Sequence, residues 1–204
     1  TSNLVLSGAG PFTISGTNES GKVQVVVPAG VTNTVTLANL TLKVTAENQC
    51  AFALETSANV SLFLAGSNVL GSGTYRAGLE VMAGRALSIT NAPGEDEAGA
   101  LTATGGNYAA GIGGGFRSAG GTVIFTDGSV TGIGGDGSLT GIGGGGAGIG
   151  GGCYGAGGTV VFTGGSVTGI GGDGGAGIGG GDGGAGGTAI VTGGWITAMG
   201  GGKR

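Results

Sequence analysis

Ala119-Gly120-Gly121-Thr122-Val123-Ile124-Phe125-Thr126 is the stretch that decides the fold, because it returns twice. It reappears as Ala156-Gly157-Gly158-Thr159-Val160-Val161-Phe162-Thr163 and again as Ala185-Gly186-Gly187-Thr188-Ala189-Ile190-Val191-Thr192. The three starts, at 119, 156 and 185, lie 37 and 29 residues apart, so the longer repeat carries an insertion, placed most simply around Ser138–Gly145. A fixed period of this size is the signature of a repeat architecture. Each copy is followed by a second short strand (Ser129-Val130-Thr131, Ser166-Val167-Thr168, Trp195-Ile196-Thr197) and preceded by a third (Ala110-Gly111-Ile112, Ala147-Gly148-Ile149, Ala176-Gly177-Ile178). Three strands per repeat, separated by glycine-rich corners, is the cross-section of a parallel β-helix.

The N-terminal half carries the same grammar in richer sequence. Phe52-Ala53-Leu54-Glu55 and Gly78-Leu79-Glu80 stand where Ala110-Gly111-Ile112 stands later. Val60-Ser61-Leu62-Phe63 and Leu87-Ser88-Ile89-Thr90 match Val123 to Thr126, and Val69 and Leu101 match Val130. One coil earlier come Val23 to Val27, Val35-Thr36-Leu37 and Leu40-Thr41-Leu42. Because strand side chains alternate faces, each inward position should form an apolar file through the coils. The files expected are Val60–Leu87–Val123–Val160–Ala189, Leu62–Ile89–Phe125–Phe162–Val191 and Leu54–Leu79–Ile112–Ile149–Ile178. The expected fold is therefore all-β, a right-handed parallel β-helix of about six three-strand coils with essentially no α-helix. It forms one domain over 1–204: a partial first coil at 1–21, sequence-diverse coils at 22–108 and glycine-rich regular coils at 109–204. At about 4.8 Å per coil the rod is on the order of 30 Å long.

Composition excludes the competing classes. Glycine accounts for 57 of 204 residues but proline for only 3, and runs such as Gly143-Gly144-Gly145-Gly146 break the triplet that collagen requires. Hydrophobic residues make up 39% and the net charge is only −4, which is not the profile of a disordered chain. Seven Lys+Arg with no basic cluster argue against a nucleic-acid partner. No apolar run approaches the roughly 18–20 residues that span a bilayer, so no membrane insertion is expected. Histidine is absent, which removes the commonest general base and metal ligand. The two cysteines, Cys50 and Cys153, fall several coils apart and should be unpaired. The chain starts at Thr1, which agrees with a processed or excised fragment of an exported protein, secreted or held at the cell surface. Neither end carries a capping helix, so the ends either continue in a longer protein or meet a partner, a second copy in an end-to-end fibre being one choice.

Few side chains carry chemistry. Glu55 and Glu80 each follow an inward leucine, which places them one coil apart on the outer face near Arg76 and Arg85. Two carboxylates at that separation need a neutralising partner: either those arginines or a bound Ca²⁺. Asp136 and Asp173 align in Gly-Ile-Gly-Gly-Asp-Gly turns, with Asp182 in a similar turn and Glu95-Asp96-Glu97 in an acidic loop. They are candidate metal ligands, or aspartates that serve the turn backbone. Tyr75, Tyr108 and Tyr154 sit beside corners, where flat rings can stack on sugars or cover apolar edges. Outward threonine files, Thr90–Thr126–Thr163–Thr192 and Thr131–Thr168–Thr197, are ordinary strand packing, and such arrays also occur on ice-binding solenoids. The candidate ligand-binding residues are thus Glu55, Glu80, Arg76, Tyr75 and Tyr108. The candidate metal ligands are Glu55, Glu80, Asp136 and Asp173.

Two patterns resemble known families. Gly-Ala-Gly-Ile-Gly-Gly-Gly at 146–152 and 175–181, alternating with Gly-x-Val/Ile-Thr-Gly/Ala at 128–132, 165–169 and 194–198, is similar to glycine-rich repeats in surface proteins of anaerobic Gram-positive gut bacteria. Pro11-Phe12-Thr13-Ile14-Ser15-Gly16, followed by Val35-Thr36-Leu37-Ala38-Asn39-Leu40-Thr41-Leu42, resembles the opening of extracellular β-helix carbohydrate-binding modules. The resemblance implies a noncatalytic glycan-binding or adhesive role, with some such modules taking acidic plant polysaccharide together with calcium. Lyases and hydrolases share the architecture, but basic residues are few and the aligned acids lie in two separated places, so no enzyme is expected.

Overall fold

A computed structural model describes residues 2–94, 97–137 and 144–202. Glu95 and Asp96 of the acidic loop and positions 138–143 of the insertion lie outside the described residues. The described residues contain strands and turns but no helix.

Among the described residues the strands wind into seven coils. The first holds β1 (Ser2–Val5) and β2 (Phe12–Asn18), and the second holds β3 (Val23–Val27) and β4 (Thr32–Lys43). The third holds β5 (Phe52–Leu54), β6 (Asn59–Ala65) and β7 (Ser67–Gly71), and the fourth β8 (Leu79–Glu80), β9 (Ala86–Asn91) and β10 (Ala100–Thr104). The fifth holds β11 (Ile112–Gly113), β12 (Thr122–Phe125) and β13 (Ser129–Ile133), and the sixth β14 (Ile149–Gly150), β15 (Thr159–Phe162) and β16 (Ser166–Ile170). The seventh holds β17 (Ile178–Gly179), β18 (Thr188–Val191) and β19 (Trp195–Met199).

All strand pairs are parallel and join coil to coil, making a parallel β-helix. The first face is the sheet β1-β3-β5-β8-β11-β14-β17. The other two faces form a single sheet, β18-β15-β12-β9-β6-β4-β7-β10-β13-β16-β19, folded at β4, with β2 also paired to β4. β4 serves both faces because it bends at Asn39, whose φ of 55° is left-handed; β2 follows the bend through a bulge at Ser15/Gly16. The first coil thus pairs with the second through β1 and β2.

Two of the three expected files hold throughout. Val60, Leu87, Val123, Val160 and Ala189 pair in one row, and Leu62, Ile89, Phe125, Phe162 and Val191 in another. Coil spacing brings Phe125 over Phe162 with ring centroids 5.4 Å apart and nearly parallel planes. Inward side chains from Leu6 to Val167 form one continuous core, each aliphatic contributing roughly 1.5–3 kcal/mol by leaving water. In the last described coil the same inward positions, Ala189 and Val191, are exposed.

The third file needs a correction. Leu79 pairs with Phe52, not Leu54, so the row reads Phe52–Leu79–Ile112–Ile149–Ile178. Residues 52 and 54 are both apolar and buried, so alternation alone cannot choose between them. A second slip concerns Val69: Leu101 pairs with Asn68, and Val69 faces outward beside Thr102. An inward asparagine is admitted because its polar atoms are used. Its Oδ1 accepts the Leu40 N–H at 2.9 Å, and its Nδ2 donates to the carbonyls of Ala65 (3.2 Å) and Ala100 (3.1 Å).

Candidate functional site

The corrected register dissolves the stacked acid pair. Glu80 pairs with Ala53, while Glu55 lies two residues further on, in the turn where Ala58 N–H donates to its carbonyl. Glu80 is 1% exposed, and both its oxygens are taken by Arg76: Nε donates to Oε2 at 2.6 Å and Nη2 to Oε1 at 2.7 Å. Arg76 Nη1 also donates to the Asn48 carbonyl at 3.0 Å. This bidentate hold raises the Arg76 pKa, chiefly through the hydrogen bonds it donates to Glu80. Glu80 is thus neutralised within the chain by Arg76, one of the two kinds of partner the acids were expected to need.

Asp136 and Asp173 do stack, as their motifs suggest. The Asp173 N–H donates to Asp136 Oδ1 at 3.2 Å, a link between successive turns. No cluster of three or more acidic or thiol groups able to hold a metal occurs among the described residues. One threonine file also does corner work. The Thr163 hydroxyl donates to the Phe125 carbonyl and that of Thr192 to the Phe162 carbonyl, one coil back.

Both cysteines are buried and unpaired. Cys50 stands two residues before Phe52, as Ala77, Ala110 and Ala147 stand before Leu79, Ile112 and Ile149. Its sulfur lies 3.0 Å from the Ala77 carbonyl oxygen and 3.1 Å from that of Phe52. Burial, reinforced by the nearby Glu80 charge, pushes this thiol up to about 12.

What the coils build instead is a cleft on the first face. A cleft of about 370 Å³ lies against this sheet and is lined by residues of coils one to four. Its lining includes Asn3, Gln24, Val26, Ala53, Glu55, Met82 and Arg85. Arg76, Glu80 and Met82 are shared with a second hollow of about 430 Å³ bounded also by Asn48, Tyr75, Gly115, Phe116 and Ser118. Arg85 has a buried Nε–H with no partner, a donor that a ligand oxygen can satisfy. The volumes fall within the usual range for small-ligand sites.

From coil five onward the first face is covered. Ile112 and Ile149 are followed by longer corners than Leu79 is, and the extra residues fold back as straps across the sheet. Phe116 N–H donates to the Tyr75 carbonyl at 2.9 Å, Cys153 N–H to that of Tyr108 at 2.8 Å, and Asp182 N–H to that of Gly145 at 3.0 Å. The straps bond one another too, Arg117 N–H to Cys153 O and Tyr154 N–H to Asp182 O.

At the first strap the aromatics gather. Phe116 lies 5.3 Å from both Tyr75 and Tyr108 and 6.3 Å from Tyr154, and the Arg117 guanidinium sits 5.0 Å over the Phe116 ring. Tyr75 and Tyr108 stack with centroids 5.6 Å apart, both at positive φ in their corners. Tyr108 is buried and supports the cluster from beneath; Tyr75 and Phe116 border the hollow.

The structure therefore joins Glu55, Arg76, Glu80 and Tyr75 along one connected depression, puts Tyr108 behind it, and leaves Asp136 and Asp173 in a separate corner row. Sequence reasoning passed over Phe116, Met82, Asn3 and Gln24. The signal for Phe116 was the longer run from Ile112 to Thr122 than from Leu79 to Ala86. No family model, curated protein or solved structure matched the chain.

Proposed function

We propose that the chain is a noncatalytic, extracellular carbohydrate-binding β-helix, with the first-face cleft as its glycan site. The observation that carries the proposal is the lining of that cleft. The depression presents polar side chains, Arg85 and Glu55 beside Arg76, Asn3 and Gln24 that are partly bonded within the chain, next to the partly exposed rings of Tyr75 and Phe116. A sugar offers the matching surface: hydroxyls at its rim, each both donor and acceptor, and apolar C–H faces suited to aromatic rings. The resemblance to extracellular β-helix modules points the same way.

A hydrolytic role is disfavoured by the acids themselves. Hydrolysis needs two convergent carboxyl groups free to exchange protons. Of the two that line the cleft, Glu80 is held at both oxygens by Arg76.

The test is titration calorimetry after a glycan-array screen of neutral and acidic polymers. Binding is expected, and Arg85→Ala together with Glu55→Gln should weaken it at least tenfold, about 1.4 kcal/mol. Chelation of Ca²⁺ should leave the affinity within twofold, because Arg76 already neutralises the Glu80 carboxylate. Failure to bind any polymer, or an unchanged affinity in the double variant, contradicts the proposal.

A further inference from the structure

Four charged side chains line the first-face cleft: Glu55, Arg76, Glu80 and Arg85. Two of them cancel, since Arg76 holds both oxygens of Glu80. The other two do not. Among the described residues Glu55 and Arg85 form no ion pair, with each other or with a third group. Their places in the coils account for the separation. Coils three and four turn through equivalent corners, Glu55 to Ala58 and Met82 to Arg85, each closed by a backbone hydrogen bond from its fourth residue to its first. The third residue of each is left-handed, Ser57 at φ 60° and Gly84 at φ 79°. Glu55 opens its corner and Arg85 ends the next, so neighbouring coils offer the two charges from opposite ends of one kind of turn.

The cleft lining thus sums to no net charge yet holds two separate, uncompensated ones. The Arg85 Nε–H is already shielded from water and has no acceptor. A polyanion gains at Arg85 and is repelled at Glu55, and a polycation meets the reverse. A neutral sugar laid over both takes water from two charges and returns hydroxyls without a countercharge. A ligand with one group of each sign gains at both places. We infer that the site takes a zwitterionic glycan, one whose repeating unit carries a carboxylate and a free amine, with the carboxylate on the Arg85 guanidinium and the ammonium on the Glu55 carboxylate. This rests on the reading of the cleft as a glycan site and names the class of glycan.

The experiment titrates the intact chain with tetrasaccharides of alternating glucuronic acid and glucosamine, on the heparosan and hyaluronan backbones. Each is offered with the amine free, with the amine acetylated, with the carboxyl reduced to the alcohol, and with both changes. The free form should bind at least tenfold tighter than either singly blocked form, a comparison that needs no variant protein. In Glu55→Gln, acetylation should then change Kd less than twofold, and in Arg85→Gln carboxyl reduction should do the same. Blocked forms that bind as tightly as the free form overturn the zwitterion reading and leave glycan binding standing. So does binding of a neutral or acidic polymer when no member of the series binds. A preference that survives both substitutions overturns the assignment to Glu55 and Arg85. Absence of binding to any glycan overturns this inference and the glycan site together.

Discussion

Glu80 shows how one buried charge organises its surroundings. Its carboxylate lies beneath the surface of a solenoid whose other face-one positions in that row are small, Ala53 on one side and Gly113 on the other. Removing a charge from water is costly unless it is paired, and breaking such a pair costs more than never having made it. Glu80→Ala should therefore destabilise the fold by about 3 kcal/mol, the low end for a buried pair because Arg76 is partly open to solvent. The double change Arg76→Met with Glu80→Leu should cost less, and urea unfolding of both variants decides the point. Cys50 gives a pH dependence at the same scale. Its thiol titrates near 9 when unfolded and near 12 when folded, so the unfolded chain releases the proton first. The contribution is complete below about pH 9 and is lost as pH rises toward 12, by roughly 1.4 kcal/mol per pH unit. The difference in urea midpoint between the native chain and Cys50→Ala should thus shift with pH between 9 and 10.5 and stay constant between 7 and 8.5.

Elements here are short, and corners decide what they expose. β11, β14 and β17 hold two residues each, and the second is a glycine at φ 133°, 137° and 142°. A Cβ at Gly150 would run into the carbonyl oxygen of Gly179 in the next coil, and the backbone there is one that L-residues rarely adopt. Gly150→Ala should lower Tm by several degrees, the shift expected for a change of 1–3 kcal/mol at a strained backbone position. Gly30→Ala, in an open corner with positive φ but no neighbour in reach, should cost less, and a calorimetric scan of the pair separates strain from crowding. These corners also mark where sequence reasoning succeeds. Glycine placement and β-branched alternation made the strands of coils five to seven legible nearly residue by residue. The straps were not, because nothing in Gly-Gly-Phe-Arg-Ser says that it folds back across a sheet; only the length difference between neighbouring coils carries that information.

For the whole molecule, register is the quantity on which everything else depends. It was readable where coils repeat each other openly and slipped where they do not. Phe52 and Leu54 compete for one inward position with equal hydrophobicity, and Asn68 takes an inward place that a polarity pattern assigns to Val69. Each slip is small, yet the first takes Glu55 out of register with Glu80, which is held by Arg76 beside the cleft. The most direct measurement of the register is disulfide formation between paired outward positions in a background of Cys50→Ala and Cys153→Ala. Parallel partners lie about 4.8 Å apart, within disulfide reach, and neighbours one residue out of step point to opposite faces. Val69→Cys with Thr102→Cys and Ser61→Cys with Ser88→Cys should each oxidise in air to an intramolecular bridge seen by mass spectrometry, because these residues pair in the fold. Val69→Cys with Leu101→Cys should remain reduced. Bridging of the Val69–Leu101 pair in place of the Val69–Thr102 pair would contradict the register and, with it, the cleft.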